Sequence, residues 1–225
     1  MDFFCSKETV RQAIEGKRIA LVGSGPGVMG NEPGFIDSHD VVIRVSNYKL
    51  FPETGFRTDI FYSFFGNSIR KEVEELKRDG VKLCMCKCPN AKFINSRWHE
   101  LHHKMNGVDF RYIYQTRANW WFCDTYVPTV EEFMAQFDLL GKHVPTTGFS
   151  ALLDVLSHNP KSIYMTGYDF FTSNIHNVDE RWNRLNPTDP IGHVPDTEKR
   201  WFMKNVHSLP IMMDQRLKHL VKFGR

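Results

Sequence analysis

The sequence predicts an α/β fold, a mostly parallel sheet between helices, and three short apolar runs predict it. Ile19-Ala20-Leu21-Val22 breaks into Gly23-Ser24-Gly25-Pro26-Gly27, Val41-Val42-Ile43-Arg44-Val45 ends in Ser46-Asn47, and Ile60-Phe61-Tyr62 ends in Ser63. Runs of this length with little polar alternation suit strands covered on both faces, as parallel strands are. All three finish in small polar residues, which places a ligand crevice at the carboxyl edge of the sheet. A chain of 225 residues supports one sizeable core, so residues 1–225 read as a single domain.

Taken in order, Glu8 to Gly16 reads as a short helix leading into the first strand. The glycine turn that follows lacks Cβ atoms, so backbone N–H groups at Gly23, Ser24 and Gly25 have room to approach a phosphate or sugar. Gly25-Pro26-Gly27-Val28-Met29-Gly30 matches G-x-G-x-x-G literally. A dinucleotide site also needs a helix starting inside the glycines and an acid ending the second strand. Pro33 and Gly34 interrupt the first, and Ser46-Asn47 stands in place of the second. Nicotinamide binding is therefore set aside.

Beyond Ser63, Asn67 to Lys77 reads as a helix with Ile69, Val73 and Leu76 on one face, stopped by Gly80. Val81 to Cys86 is a further strand, and Phe110 to Tyr114 alternates like another. Thr129-Val130-Glu131-Glu132 opens a helix with a capping box and closes at Gly141. Thr146-Thr147-Gly148 then starts an apolar helix, a position whose free N–H groups and positive dipole end suit an anion. Thr146 or Thr147 as an ordinary N-cap is the plainer alternative. Ser162 to Thr166 is a strand ending in Gly167-Tyr168-Asp169, again polar groups at a carboxyl end. His193 lies in a loop ahead of a helix read as Lys199 to Val206.

Composition bounds the classes. Lys plus Arg number 29 against 26 Asp plus Glu, and a net charge of +3 offers nucleic acid no electrostatic footprint. No window approaches the ~20 apolar residues of a membrane span, and the N-terminus lacks a signal-peptide core. Five cysteines, Cys5, Cys84, Cys86, Cys88 and Cys123, show no C-x-x-C spacing. They read as reduced, structural thiols of a cytoplasmic protein. His99-Glu100-Leu101-His102-His103 satisfies H-E-x-x-H, and a helix puts His99 and His103 on one face for zinc. Charged flanks at Arg97 and Lys104 and the lack of a third ligand nearby argue against that centre, so no metal is expected.

The same residues resemble the sialyltransferases. GSGPG…IDSHDVVIRVSN…GFRTDIFYS is similar to the large motif of the Golgi family, and VPTTGFSALL…SIYMTGYDFF to its small motif. His193 and Glu198 reproduce the very small motif, H-x-x-x-x-E. GSGP, TTG, TGYDFF and IGH also resemble the bacterial cytosolic family. The resemblance covers most of the chain in the right order, with departures. Ser24 stands where the large motif has asparagine, and Ser46 stands at a second asparagine place, with Asn47 one step later. Ile19 and Ser162 occupy the approximate places of the Golgi family's disulfide, which fits a reducing compartment. Motif III is not intact, and His176 is its best stand-in.

The resemblance implies a Rossmann-like sheet and transfer of sialic acid or a related keto-sugar acid from a cytidine monophosphate (CMP) donor to a glycan hydroxyl, with inversion. The CMP-sugar is a co-substrate, and no cofactor is implied. His193 would be the general base, a role its ordinary pKa of ~6.5 suits. Glu198 would orient its ring or cap the following helix, and His176 or Tyr168 would donate to the departing phosphate. Gly23, Ser24, Gly25, Asn47 and Ser63 would line the cytidine side. Thr146, Thr147, Gly148, Tyr168 and Asp169 would lie near the phosphate or sugar carboxylate. Lys87 to Val127, with Trp98, Trp120 and Trp121, would build the acceptor side. A non-catalytic cytidine-nucleotide or glycan-binding relative is the second reading, and an H-E-x-x-H zinc hydrolase the third.

Overall fold

The computed structural model describes residues 4–65, 71–89, 122–172 and 193–223. Seven parallel strands form one sheet among them: β1 (Arg18–Val22), β2 (Val41–Val45), β3 (Ile60–Ser63), β4 (Leu83–Cys86), β5 (Asp124–Tyr126), β6 (Ser162–Thr166) and β7 (Ile211–Met213). Their spatial order is β5-β4-β3-β2-β1-β6-β7. The described helices are α1 (Lys7–Ile14), α2 (Val73–Arg78), α3 (Val130–Leu139), α4 (Thr147–Ser157), α5 (Pro195–Asn205) and α6 (Gln215–Phe223). The α/β, Rossmann-like expectation holds.

Strand periodicity explains the layers. Ile19 and Leu21 of β1 join the larger apolar cluster with Ile14 of α1, Leu152 of α4 and Phe202 of α5. Ala20 and Val22, pointing the other way, pack with Val28, Ile36 and Val42. Further along that second face, Phe61 and Cys84 meet Leu76 of α2 and Phe133 and Phe137 of α3. With both faces covered, every residue of β2 is buried, Arg44 included. That arginine donates from Nε to the Arg57 carbonyl at 3.1 Å and to Thr58 Oγ1 at 3.0 Å, and from Nη2 to the Thr54 carbonyl at 2.7 Å. It ties the Thr54–Thr58 loop to the sheet.

Local chemistry sets the helix ends. Thr129 and Glu132 complete the expected capping box of α3, and Thr146 caps α4 by accepting from the Phe149 amide at 3.2 Å. Several boundaries differ from the sequence reading. The fourth strand begins at Leu83 rather than Val81. Helix α5 begins at Pro195 rather than Lys199, because proline fits the first helical turn, where its missing N–H has no partner to lose. Strands β5 and β7 and helix α6 were not anticipated. Each of those strands is three residues long and lies at a sheet edge, too short for a periodic signal. The alternating run Phe110 to Tyr114 and residues 67–70 of the expected second helix lie outside the described residues.

Candidate functional site

Strand order reverses beside β1, which pairs with β2 on one side and with β6 on the other. A ligand crevice opens at such a switch point, outside the carboxyl ends of the strands. Here the two strand ends are sewn together. Gly23 N donates to Thr166 O and Gly25 N to Gly167 O, both at 2.8 Å. A Cβ on Gly23 would stand 2.5 Å from the Gly167 carbonyl oxygen, and one on Gly25 2.7 Å from it. The ring of Tyr168 comes within 3.1 Å of the place of a Gly23 Cβ and 2.9 Å of a Gly148 Cβ. One tyrosine thus wedges between both glycine motifs. This corrects the reason given for the glycines: the amides of Gly23 and Gly25 serve the sheet, and the missing side chains admit Gly167 and Tyr168. Gly27 is constrained similarly, since its Cβ would meet Asp214 Oδ2 at 2.6 Å.

On the β1–β2 side, Ser24, Tyr48, Lys49, Phe51 and Thr54 line a shallow, narrow cleft. Ser46, at φ 55°, turns the chain sharply as it leaves β2. Arg44 supports this wall from beneath, its guanidinium carbon 5.5 Å from the Tyr48 ring centroid. Of the expected cytidine contacts, Gly23 and Ser24 line the cleft, whereas Asn47 and Ser63 are buried beside it. The Ser63 hydroxyl accepts from the Phe65 amide at 3.0 Å.

On the β6 side, the Tyr168 hydroxyl donates to the Gly148 carbonyl at 3.2 Å, joining the end of β6 to the start of α4. Asp169 is buried, and its Oδ1 accepts from the Phe171 amide at 3.1 Å. Phe170 and Phe171 follow at φ 50° and 58°, a costly conformation for bulky residues held by this tight turn.

The start of α4 is gripped from α5. Glu198, fully buried, accepts from the Thr146 amide at 2.5 Å and the Thr146 hydroxyl at 2.9 Å. This is neither of the two roles expected of it. Glu198 positions the Thr146-Thr147-Gly148 turn, and the His193 ring is oriented instead by Nδ1 donating to the Val144 carbonyl at 2.7 Å. Burial, then the charge of Lys87, hold the His193 pKa down at about 3. The imidazole is therefore neutral near pH 7, which corrects the expectation of an ordinary pKa of ~6.5, because burial penalises the protonated ring. A carbonyl only accepts, so the proton sits on Nδ1 and Nε2 keeps a lone pair.

Burial pushes the Glu198 carboxyl up to about 7 against bonds from Thr146 that lower it. A carboxyl whose folded pKa exceeds its unfolded one binds its proton more tightly when folded. Its stabilisation is complete below the ordinary value of 4.5 and is lost as pH rises through about 7. Asp154, raised likewise to about 7 by burial, titrates in the same window. The melting temperature of Glu198→Gln should therefore fall less between about pH 5 and pH 8 than that of the wild type, with Asp154 unchanged in both. Parallel melting curves across that range would show that Glu198 does not titrate there.

His176, the H-E-x-x-H histidines His99 and His103, and Trp98, Trp120 and Trp121 lie outside the described residues. Among the described residues no cluster of three metal-ligating side chains forms, and no helix is long and apolar enough to cross a membrane. All five cysteines are free.

Three contributors escaped the sequence reading. Asp214 Oδ2 accepts from Thr166 Oγ1 and from the Gly167 amide, both at 2.9 Å, and Oδ1 accepts from the Leu217 amide at 2.8 Å. Asn31 donates to the Val28 carbonyl at 2.6 Å and to Thr166 Oγ1 at 3.1 Å. Arg44 was visible as a charge inside an apolar run, the one signal available.

No protein-family model matches the chain, and no curated protein matches it. Solved structures do. The sialyltransferase CstII from Campylobacter jejuni, in complex with the substrate analogue CMP-3FNeuAc, superposes with a TM-score of 0.58 at 16% identity, over 92% of this chain and 85% of that one. A mammalian sialyltransferase matches with a TM-score of 0.55 at 17% identity, over 88% of this chain and 68% of its own. The α-2,3-sialyltransferase from Campylobacter jejuni in apo form gives 0.50 at 16%, over 95% and 78%. The fold is sialyltransferase-like.

Proposed function

We propose that the chain is a glycosyltransferase that moves sialic acid or a related keto-sugar acid from a CMP-activated donor to a glycan hydroxyl, inverting the anomeric carbon. The observation that carries this reading is the His193 ring, held by Nδ1 donating to the Val144 carbonyl so that Nε2 keeps its lone pair. Its loop leads into α5, whose Glu198 grips the start of α4. That turn is joined through Tyr168 to the β1–β6 crevice. CstII is solved both with CMP-3FNeuAc and with CMP, ligands that agree with a cytidine donor.

In this reading the cytidine occupies the cleft at Ser24, Tyr48 and Thr54, and the phosphate faces the first turn of α4. Thr147 and Gly148 there offer N–H groups at the positive end of the helix dipole. The acceptor oxygen attacks the anomeric carbon as the bond to the phosphate oxygen breaks, and Nε2 of His193 takes the acceptor proton. Cytidine monophosphate departs as a stabilised anion, so the chemistry demands no metal, and activity is expected to survive chelation. Five free thiols support a reducing, cytoplasmic setting.

Cytidine monophosphate should raise the melting temperature while nicotinamide dinucleotides leave it unchanged. At about 100 times the dissociation constant, linkage stabilises the fold by about 2.7 kcal/mol, a readily measured shift. A shift with the dinucleotide alone would reject a cytidine site. Binding of CMP-sialic acid without transfer to any glycan acceptor would leave a binding protein rather than an enzyme.

A further inference from the structure

We propose that Cys84 and Cys123 form a redox modification site, a thiol pair that hydrogen peroxide converts to an intramolecular disulfide and that thiol reductants restore. The assignment stands apart from the transferase reading, since its test needs neither nucleotide nor sugar.

The two sulfurs are already in contact, 3.6 Å apart, although 39 residues separate them along the chain. Strand pairing brings them there. Leu83 of β4 lies opposite Asp124 and Cys84 opposite Thr125, so Cys123, one residue ahead of β5, arrives beside the Cys84 side chain. Because Cys123 precedes the ladder, closing the contact to the ~2 Å of a disulfide need not break a strand pair.

The two thiols differ in a way that suits such a pair. Cys84 is fully buried in the apolar layer with Leu76, Phe133 and Phe137, whereas Cys123 is half-buried and packs against that layer. Peroxide therefore reaches Cys123 first. With Cys84 donating to the Cys123 sulfur, the bond between them lowers the Cys123 pKa and raises that of Cys84. The accessible sulfur thus gains thiolate character, the reactive form, while the buried one keeps its proton. Cys5 lies on the other side of β5, its amide donating to the Thr125 carbonyl at 3.0 Å. Burial, then the charge of Asp124, push its thiol up and make it the less reactive neighbour.

The chemistry balances in two steps. The Cys123 thiolate attacks one peroxide oxygen and the O–O bond breaks. The departing hydroxide takes up the proton that Cys123 gave up, leaving water and a sulfenic acid on Cys123. The Cys84 sulfur then attacks the Cys123 sulfur, the S–O bond breaks, and the leaving hydroxide carries off the Cys84 proton as a second water. Each sulfur is oxidised by one electron and the peroxide is reduced by two. Thiol–disulfide exchange with a reductant reverses the bond.

The test exposes native, reduced protein to hydrogen peroxide, blocks the remaining thiols by alkylation and maps the peptides by mass spectrometry. Free thiols should fall from five to three. One peptide pair should be joined through Cys84 and Cys123, lighter by two hydrogens, and dithiothreitol should restore every thiol. Cys123→Ser should keep all its remaining thiols under the same exposure, and Cys5→Ser should still form the bridge. Cys84→Ser lacks the resolving thiol, so the Cys123 sulfenic acid should accumulate and be captured by dimedone. Cys84→Ala carries that comparison should Cys84→Ser not fold, and the wild-type and Cys123→Ser maps decide without either. Wild-type protein that keeps all five thiols overturns the assignment. So does a bridge through Cys5, a bridge between two chains, or Cys123→Ser protein that loses thiols as fast as the wild type.

Discussion

Replacing His193 with alanine should lower sugar transfer by roughly 10²–10⁴-fold, the usual contribution of a positioned general base. Affinity for CMP should stay nearly unchanged, because Nε2 serves the acceptor hydroxyl and not the nucleotide. The two readouts separate the roles: loss of turnover with intact binding marks a base, and loss of both marks a damaged crevice. The pH dependence gives a second check. Wild-type turnover should fall on the acidic side as Nε2 takes a proton, and burial places that limb below the ordinary histidine range. In His193→Ala the residual activity should lack it. His193→Ala protein that transfers sugar at the wild-type rate would place the base elsewhere.

The largest effect on stability is expected at Gly167. It sits at φ 72°, where a side chain is strained, and its Cβ would stand 2.7 Å from the Gly23 carbonyl oxygen and 2.9 Å from the carbonyl carbon. Both obstacles are backbone, so neither swings aside as a long side chain would. Strain of this kind and overpacking each cost about 1–3 kcal/mol, and Gly167→Ala should destabilise the fold by several kcal/mol in total. Gly30→Ala is the matched control, because nothing lies within 4 Å of its Cβ. Chemical denaturation of the two variants should give midpoints far apart, with Gly30→Ala close to the wild type. Equal midpoints would mean that the β1 and β6 ends can part without loss.

Much of this architecture was legible because parallel strands buried on both faces leave unbroken apolar runs. The strand from Ser162 to Thr166 was read to the residue, and β1 to β3 nearly so. The site was legible as a set of turns, since glycine, serine and threonine after strands leave a local mark. What stayed hidden was who meets whom. Nothing in TTG announces that Glu198, 52 residues on, will accept from Thr146. Nor does GSG reveal that its glycines admit Tyr168 and Gly167 so closely. Asp214 escaped because its strand is too short and too exposed for periodicity to register.

The pairing of β1 with β6 also bears on how the protein is made. As the chain emerges from the ribosome, β1 can pair at once with β2, its neighbour in sequence. Its other edge must wait for β6, since Ile19 meets Ile163 only after most of the chain has been synthesised. Contacts so distant along the chain carry a high loop-closure cost and form late. Until then β1 presents a full row of unsatisfied backbone groups, a template for pairing with another nascent chain. The crevice, which exists only where β1 and β6 meet, is thus among the last features to form. A shortened chain that stops before Ser162 would have neither the crevice nor a protected β1 edge.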